Sequence, residues 1–244
     1  MTQRAKRAIV WLCWGEKFLP EAIASARTTL AIEGDRILIT DQLGVSYAKE
    51  STEFTSIVSM NPVYANNLEK SRIIDLIPAG YDTFLYLDSD TRILGDVALG
   101  FDKAERHGMA LVPAPFYNLS EFFNFGKIMA QLGVEPADQL MYNSGVIFFH
   151  LTPIVRQVLE RWRDLASVGA SQNFPRDQGF LTLAMEQQGF TPYTLAPLYN
   201  YRSMGEPAIG RIRIWHSHFP LPADVNDFKT LWPARPFKNG LRRG

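Results

Sequence analysis

Thr83-Phe84-Leu85-Tyr86-Leu87-Asp88-Ser89-Asp90 is the stretch whose reading decides the fold of this chain. Residues 83–87 are aliphatic, aromatic or β-branched throughout, with no polar alternation. That is the pattern of a strand covered on both faces, as in a parallel sheet flanked by helices. Two carboxylates follow at i and i+2, with a serine between them that permits a turn. Open α/β sheets bind their ligands beyond the carboxyl ends of their strands, which is where Asp88 and Asp90 stand. Carboxylates converging there repel each other unless a hard cation lies between them. An Asp-Ser-Asp-Thr sequence also makes an ordinary hydrogen-bonded turn, and the strand before it is what favours a ligand site.

Upstream, residues 8–13 read as another fully buried strand. Leu19, Ala22, Ile23, Ala26 and Leu30 then recur at helical spacing between Pro20 and Gly34. Residues 36–40 read as the next strand, so the chain opens as a βαβ unit and predicts a mixed, mostly parallel central sheet flanked by helices, an α/β fold. A helix is expected over 66–77, stopped by Pro78-Ala79-Gly80. Downstream, strands are expected at 109–112 and 145–149. Thr152-Pro153 opens a helix with Ile154, Val155, Val158, Leu159, Trp162 and Leu165 as its stripe, and a further helix covers 178–188. After Gly189 come two short β-like pieces and then residues 211–215. Residues 113–141 have no clean period and read as a lid or an acceptor-side excursion.

The composition narrows the partners. Lysine plus arginine and aspartate plus glutamate number 25 each, so no basic field argues for nucleic acid or an anionic membrane. The 244 residues suit one domain, with 220–244 a proline-rich tail whose Arg235, Lys238, Arg242 and Arg243 read as a solvated terminus. Cys13 is the single cysteine and has no partner for an internal disulfide. The basic and apolar residues 4–14 look superficially like a signal peptide, but the apolar run stops at Gly15-Glu16-Lys17 and no small-residue cleavage site follows. No stretch reaches the roughly 20 apolar residues of a transmembrane segment. The expectation is a soluble, cytoplasmic protein with a small-molecule substrate.

A second candidate cluster, His216-Ser217-His218, follows the strand-like residues 211–215. Imidazole beside carboxylates and phosphate oxygens suits manganese or a similar ion, and an all-oxygen shell suits magnesium. Together these blocks resemble the GT-A type nucleotide-diphospho-sugar transferases, and glycosyltransferase family 8 in particular, which includes glycogenin and bacterial lipooligosaccharide galactosyltransferases. Lys70-Ser71-Arg72-Ile73-Ile74-Asp75-Leu76 resembles the family's helix before the metal strand, and residues 84–90 resemble the strand with its Asp-x-Asp motif. Tyr142-Asn143-Ser144-Gly145-Val146, Asp177-Gln178-Gly179 and Leu198-Tyr199-Asn200 resemble later family blocks, in the same order.

The resemblance implies a Rossmann-like GT-A domain that moves a hexose, with retention, from a nucleotide-sugar to a saccharide or other hydroxyl acceptor. UDP-glucose or UDP-galactose is the donor it suggests. It implies that Asp88 and Asp90 hold manganese or magnesium together with His216 or His218, both of which stay open. Ser89 lies between the two carboxylates in the donor site. By the same resemblance Trp14, Gly15 and Lys70 lie on the donor's base, ribose and phosphates. Asn143, Ser144, Asp177 and Gln178 surround the sugar and the incoming acceptor, with Asp177 binding sugar hydroxyls or stabilising charge at the anomeric carbon. Asp177 also reads as a helix cap and Asn143 as a turn residue. The family's terminal Gly-x-x-Lys-Pro-Trp is absent, and Lys229 within residues 228–232 is only an approximate echo of it. Phe116, Tyr117, Phe122 and Phe123 are core or acceptor-stacking aromatics. Two alternatives remain at this level: a nucleotide-sugar-binding protein without turnover, and an Asp-nucleophile phosphatase. The latter is disfavoured by Arg92 standing where that group carries threonine.

Overall fold

The computed structural model describes residues 5–136, 138–202, 210–223 and 225, without the side chains of residues 115–117. Lys229, the basic residues 235–243 and the Phe116 and Tyr117 rings lie outside this description. The chain begins β1 (Arg7–Leu12), α1 (Leu19–Arg27), β2 (Asp35–Thr40), α2 (Gln42–Ala48) and β3 (Ser56–Ser59). A 3₁₀ segment, Asn67–Arg72, leads into α3 (Ile73–Leu76), and β4 (Thr83–Leu87) and β5 (Thr91–Ile93) bracket the paired aspartates. There follow α4 (Ala98–His107), β6 (Met109–Asn118), α5 (Phe125–Gln131), β7 (Leu140–His150), α6 (Pro153–Ser171) and α7 (Gln178–Gln187). Then come β8 (Tyr193–Thr194), a 3₁₀ turn at Pro197–Tyr199, and β9 (Ile214–His216).

Among the described residues seven strands form one sheet in the order β3-β2-β1-β4-β7-β6-β8, in which only β7 runs against the rest. The expected mixed, mostly parallel α/β sheet is therefore present. Both faces are covered, which is why β1 and β4 read as unbroken apolar runs. Ala8, Val10, Leu12, Phe84 and Tyr86 pack on the face that meets α6 and α7, whereas Ile9, Trp11, Leu85 and Leu87 pack on the face that meets α1 and α4. Among the described residues no helix is long and apolar enough to cross a membrane.

Several elements depart from the sequence reading. Helix α1 stops at Arg27 because the Thr28 and Thr29 hydroxyls bond back to the carbonyls of Ser25 and Ala26, at 2.6 and 2.7 Å, and compete with the next helical turn. Leu30 is consequently exposed rather than part of the apolar stripe. The helix expected over 66–77 is mostly 3₁₀, with Asn66 capping Leu68 N–H at 3.0 Å, and it ends where Ile77 turns extended ahead of Pro78. Ile154 lies at the solvent edge of the α6 stripe. Residues 113–141 are not one excursion: β6 continues through Asn118 with two register shifts, and α5 follows.

The 3₁₀ segment also holds the loop before it. Glu69 is fully buried and accepts the backbone N–H groups of Val63 and Tyr64, each at 2.9 Å, and the Arg72 guanidinium at 2.5 Å. Ala65, Asn66 and Asn67, which line the cavity described below, are placed by that clamp. Glu69→Ala is expected to cost about 2–4 kcal/mol, because it strands a partly buried cation and two donors. Urea unfolding checks this, and a loss under about 0.5 kcal/mol would show that the clamp is dispensable.

Candidate functional site

The paired aspartates sit where β4 meets the reversed strand β7. Asp88 N–H donates to the Gly145 carbonyl at 2.8 Å, and Thr91 N–H donates back to the Asp88 carbonyl at 3.2 Å, so residues 88–91 close a turn with Ser89 and Asp90 at its tip. Thr91 Oγ1 reinforces it by donating to the same carbonyl at 2.7 Å, and shares a hydrogen bond with Ser25 Oγ at 2.9 Å. Ser25 in turn accepts the buried Trp11 indole N–H at 2.9 Å, which ties the turn to α1 and β1. The turn thus brings both carboxylates over the end of the strand.

His216 returns to this turn through a second, two-stranded ladder in which β5 and β9 run antiparallel, with Thr91 opposite His216. Ser217 N–H donates to the Asp90 carbonyl at 3.0 Å. His216 Nε2 lies 3.3 Å from Asp90 Oδ1 and 3.6 Å from Asp88 Oδ2. One ligand atom from each of Asp88, Asp90 and His216 falls within 4.8 Å of the others. Burial opposes ionisation of Asp90, but when the His216 and His218 rings are protonated their charges, with the hydrogen bond from His216, outweigh it and hold the carboxyl at about 2.

The opposite wall is ionic as well. Lys70 Nζ is 2.9 Å from Asp88 Oδ1, 3.6 Å from Asp177 Oδ2 and 3.4 Å from Ser144 Oγ. Burial works against its charge, but Asp177 and Asp88 outweigh that and keep the ammonium protonated above the ordinary lysine range. Burial raises the Asp177 carboxyl, against the pull of Lys70 and a hydrogen bond from Ser144. Asp177 precedes α7 but makes no capping bond with its side chain. Its Oδ2 is buried with no hydrogen-bond partner among the described residues, although Lys70 stands at ion-pair distance. Trp162, from the stripe of α6, fixes the Asp177 backbone by donating its indole N–H to that carbonyl at 3.0 Å. Tyr86, the last inward-facing aromatic of β4, donates its hydroxyl to Asp88 Oδ1 at 2.9 Å, and burial beside that carboxylate lifts its pKa well above the usual tyrosine range.

These groups line one cavity of about 570 Å³, within the range of small-molecule sites. Trp14, Lys70, Asp88, Ser89, Asp90, Asn143, Ser144, Asp177, Gln178, His216 and His218 all border it. Gly15 is not on its wall; with φ +76° it makes the turn that carries the chain from β1 past Trp14. His218 is two-thirds exposed, pairs with Glu21 at 3.1 Å, and stands outside the close three-residue group, with Nε2 3.6 Å from Asp90 Oδ2. Cys13 also borders the cavity, but burial pushes its thiol up to about 12, which keeps it protonated. The outer wall carries Phe123, with Arg176 seated 4.5 Å over its ring, and both Phe123 and Asn124 have positive φ.

Gly145 went unremarked in sequence except as part of a matching block, although no other residue fits there. A Cβ on it would lie 2.1 Å from His216 Cε1 and 2.7 Å from Asp88 Oδ2. Asn200 likewise had no assigned role, yet its side-chain oxygen is 2.7 Å from His216 Nδ1. The donor set itself fits a divalent cation: two hard carboxylates and one imidazole crowd together with no room for a side chain at Gly145.

A mostly parallel sheet with one reversed strand beside the Asp-x-Asp strand, helices on both faces, and a ligand cavity at the carboxyl strand ends define the GT-A, Rossmann-like fold. Solved structures of that fold superpose on nearly the whole chain. Galactosyltransferase LgtC, in complex with donor and acceptor sugar analogues, aligns with a TM-score of 0.60 and 13% identity over 94% of this chain and 98% of that one. Mouse xyloside xylosyltransferase 1 in its apo form gives 0.59 and 12% over 89% and 100%. An active-site mutant of LgtC gives 0.59 and 12% over 92% and 94%. No protein-family profile matches the sequence, and no curated protein matches it.

Proposed function

We propose that this chain is a metal-dependent glycosyltransferase that moves a hexose from a nucleoside-diphosphate sugar, UDP-glucose or UDP-galactose, to a hydroxyl acceptor with retention. The observation that carries the reading is the cluster of Asp88, Asp90 and His216 at the end of β4, on the wall of a cavity sized for such a donor. The GT-A fold supports it, and the donor and the stereochemistry follow the family resemblance.

Asp88, Asp90 and His216 would hold manganese or magnesium, which binds the donor diphosphate and offsets the charge gathering on the leaving nucleoside diphosphate. The protein's own groups complete the work. Lys70, held charged by two carboxylates, presents a fixed cation to the same phosphates without cost of reorganisation. Trp14 and Phe18 offer aromatic surface on the side of β1 for the base. Asp177, whose Oδ2 lacks a hydrogen-bond partner among the described residues, suits binding to sugar hydroxyls or stabilising positive charge at the anomeric carbon. Phe123 and Arg176, which also line the cavity, would face the acceptor.

Calorimetric titration of UDP with and without manganese, followed by incubation with UDP-hexoses, tests the reading. The expected result is UDP binding that requires manganese, with slow hydrolysis of UDP-glucose or UDP-galactose when no acceptor is present. If neither UDP nor another nucleoside diphosphate binds with the metal, the donor site is misassigned. Tight binding without any hydrolysis or transfer would point to a nucleotide-sugar-binding protein instead.

A further inference from the structure

We propose that Asn200 and Asn143 are positioning residues that lock His216 in the tautomer a cation requires, through a hydrogen-bond chain anchored on the backbone of Gly145. The inference rests on the metal reading of the site and adds the groups that orient its histidine.

The polarity of the chain has one solution. Gly145 N–H can only donate, and it meets Asn143 Oδ1 at 2.8 Å, so the amide of Asn143 must turn its oxygen that way. The same oxygen faces the side chain of Asn200 at 2.8 Å, which must therefore present its Nδ2. That leaves Asn200 Oδ1 against His216 Nδ1 at 2.7 Å. An amide oxygen has no proton to give, so Nδ1 carries the hydrogen and the lone pair of the neutral ring sits on Nε2. Nε2 is the nitrogen that faces Asp90 and Asp88. At the far end, Asn143 Nδ2 donates to Gln178 Oε1 at 3.3 Å, which agrees with the same polarity.

Asn143, Asn200 and His216 are all buried, so water has little access to repair a reversed link. In the other tautomer the ring would aim an N–H at the position a cation must take, and binding would first require the ring to exchange its proton. The chain also gives Asn143 a task distinct from touching sugar, since its oxygen accepts two hydrogen bonds and its nitrogen is donated within the protein.

Two readouts test this on the nucleotide-free protein. Nitrogen-15 shifts of the neutral His216 ring, followed along a pH series and assigned with His216→Ala, are expected to show a protonated Nδ1 and an unprotonated Nε2. Manganese affinity, read from the paramagnetic resonance of free Mn²⁺, is expected to fall about 10- to 100-fold in Asn200→Leu and in Asn143→Leu, the usual effect of removing a residue that orients a metal ligand. A wild-type ring protonated on Nε2 overturns the proposal without any variant, as does wild-type affinity in a folded Asn200→Leu. If wild type binds no manganese, the metal reading falls and takes the purpose of the chain with it, whereas the ring shifts still report the tautomer separately.

Discussion

Asp90→Ala is expected to abolish the manganese dependence of UDP binding and to lower kcat/KM by about a thousandfold or more, the several kcal/mol that a metal's charge stabilisation supplies. Asp90 is the sharper target of the two aspartates because Asp88 has other work. Asp88 accepts from Tyr86 and neutralises the buried Lys70, so its removal unbalances the far wall as well as the cluster. Asp90 neutralises no buried lysine; its partners are His216, at 3.3 Å from Oδ1, and the exposed His218, at 3.6 Å from Oδ2. The variant also has a signature in the apoprotein. Its carboxyl is held at about 2 in the fold against an ordinary 3.8, so ionised Asp90 stabilises the fold above pH 3.8 and loses that contribution as the pH falls through about 2. Acid unfolding of Asp90→Ala should lack that share of the decline between those limits. UDP calorimetry, initial rates and urea melts across that range check the three expectations. Undiminished manganese-dependent UDP binding would remove Asp90 from the metal site.

What the sequence disclosed follows from how many constraints each residue meets locally. Strand β4 was legible because a strand covered on both faces must be apolar at every position, and the break into Asp88-Ser89-Asp90 then marks its carboxyl end. The α6 stripe was legible for the same reason at helical period, Ile154 excepted. By contrast α2 and β3 lie at the sheet edge, where Leu43 and Tyr47 are exposed and β3 buries no residue fully, so they leave no periodic trace. The early end of α1 depends on two threonine hydroxyls returning to the backbone, which spacing alone does not reveal.

The site shows the same division. In sequence position favours His216, but both histidines stay open because Ile214-Trp215-His216 and His218-Phe219 each resemble part of the family's pattern. The register that sets Thr91 opposite His216 separates them, since His216 lies inside the ladder and His218 two residues beyond it. Lys70 sits in a segment misread as a regular helix, yet the turn still delivers its ammonium to Asp88 and Asp177. In sequence Asn200 stands out only as part of a matching block, because its link to Asn143 spans 57 residues of chain and has no local signal.

Gly145→Ala is the other substitution expected to act strongly, and it does so through space alone. The added carbon would lie 2.1 Å from His216 Cε1, 2.7 Å from Asp88 Oδ2 and 2.9 Å from His216 Nδ1. None of these can simply swing aside. The Gly145 carbonyl holds Asp88 N–H and its own N–H holds Asn143, while Asn200 and the β5–β9 ladder hold the ring. Overpacking of this kind costs about 1–3 kcal/mol, and displacement of both ligands by an ångström or more is expected to weaken manganese at least about 100-fold. The double variant Gly145→Ala/His216→Ala separates the two effects. With the ring gone the two contacts to His216 are relieved and only the 2.7 Å contact with Asp88 Oδ2 remains, so part of the lost stability should return toward that of His216→Ala alone, a coupling between neighbours that distant sites do not show. Manganese binding should stay lost in the double variant, because one ligand is missing. Urea unfolding and manganese titration on the three variants check this, and full metal affinity in Gly145→Ala would mean that His216 and Asp88 do not share the ion across this glycine.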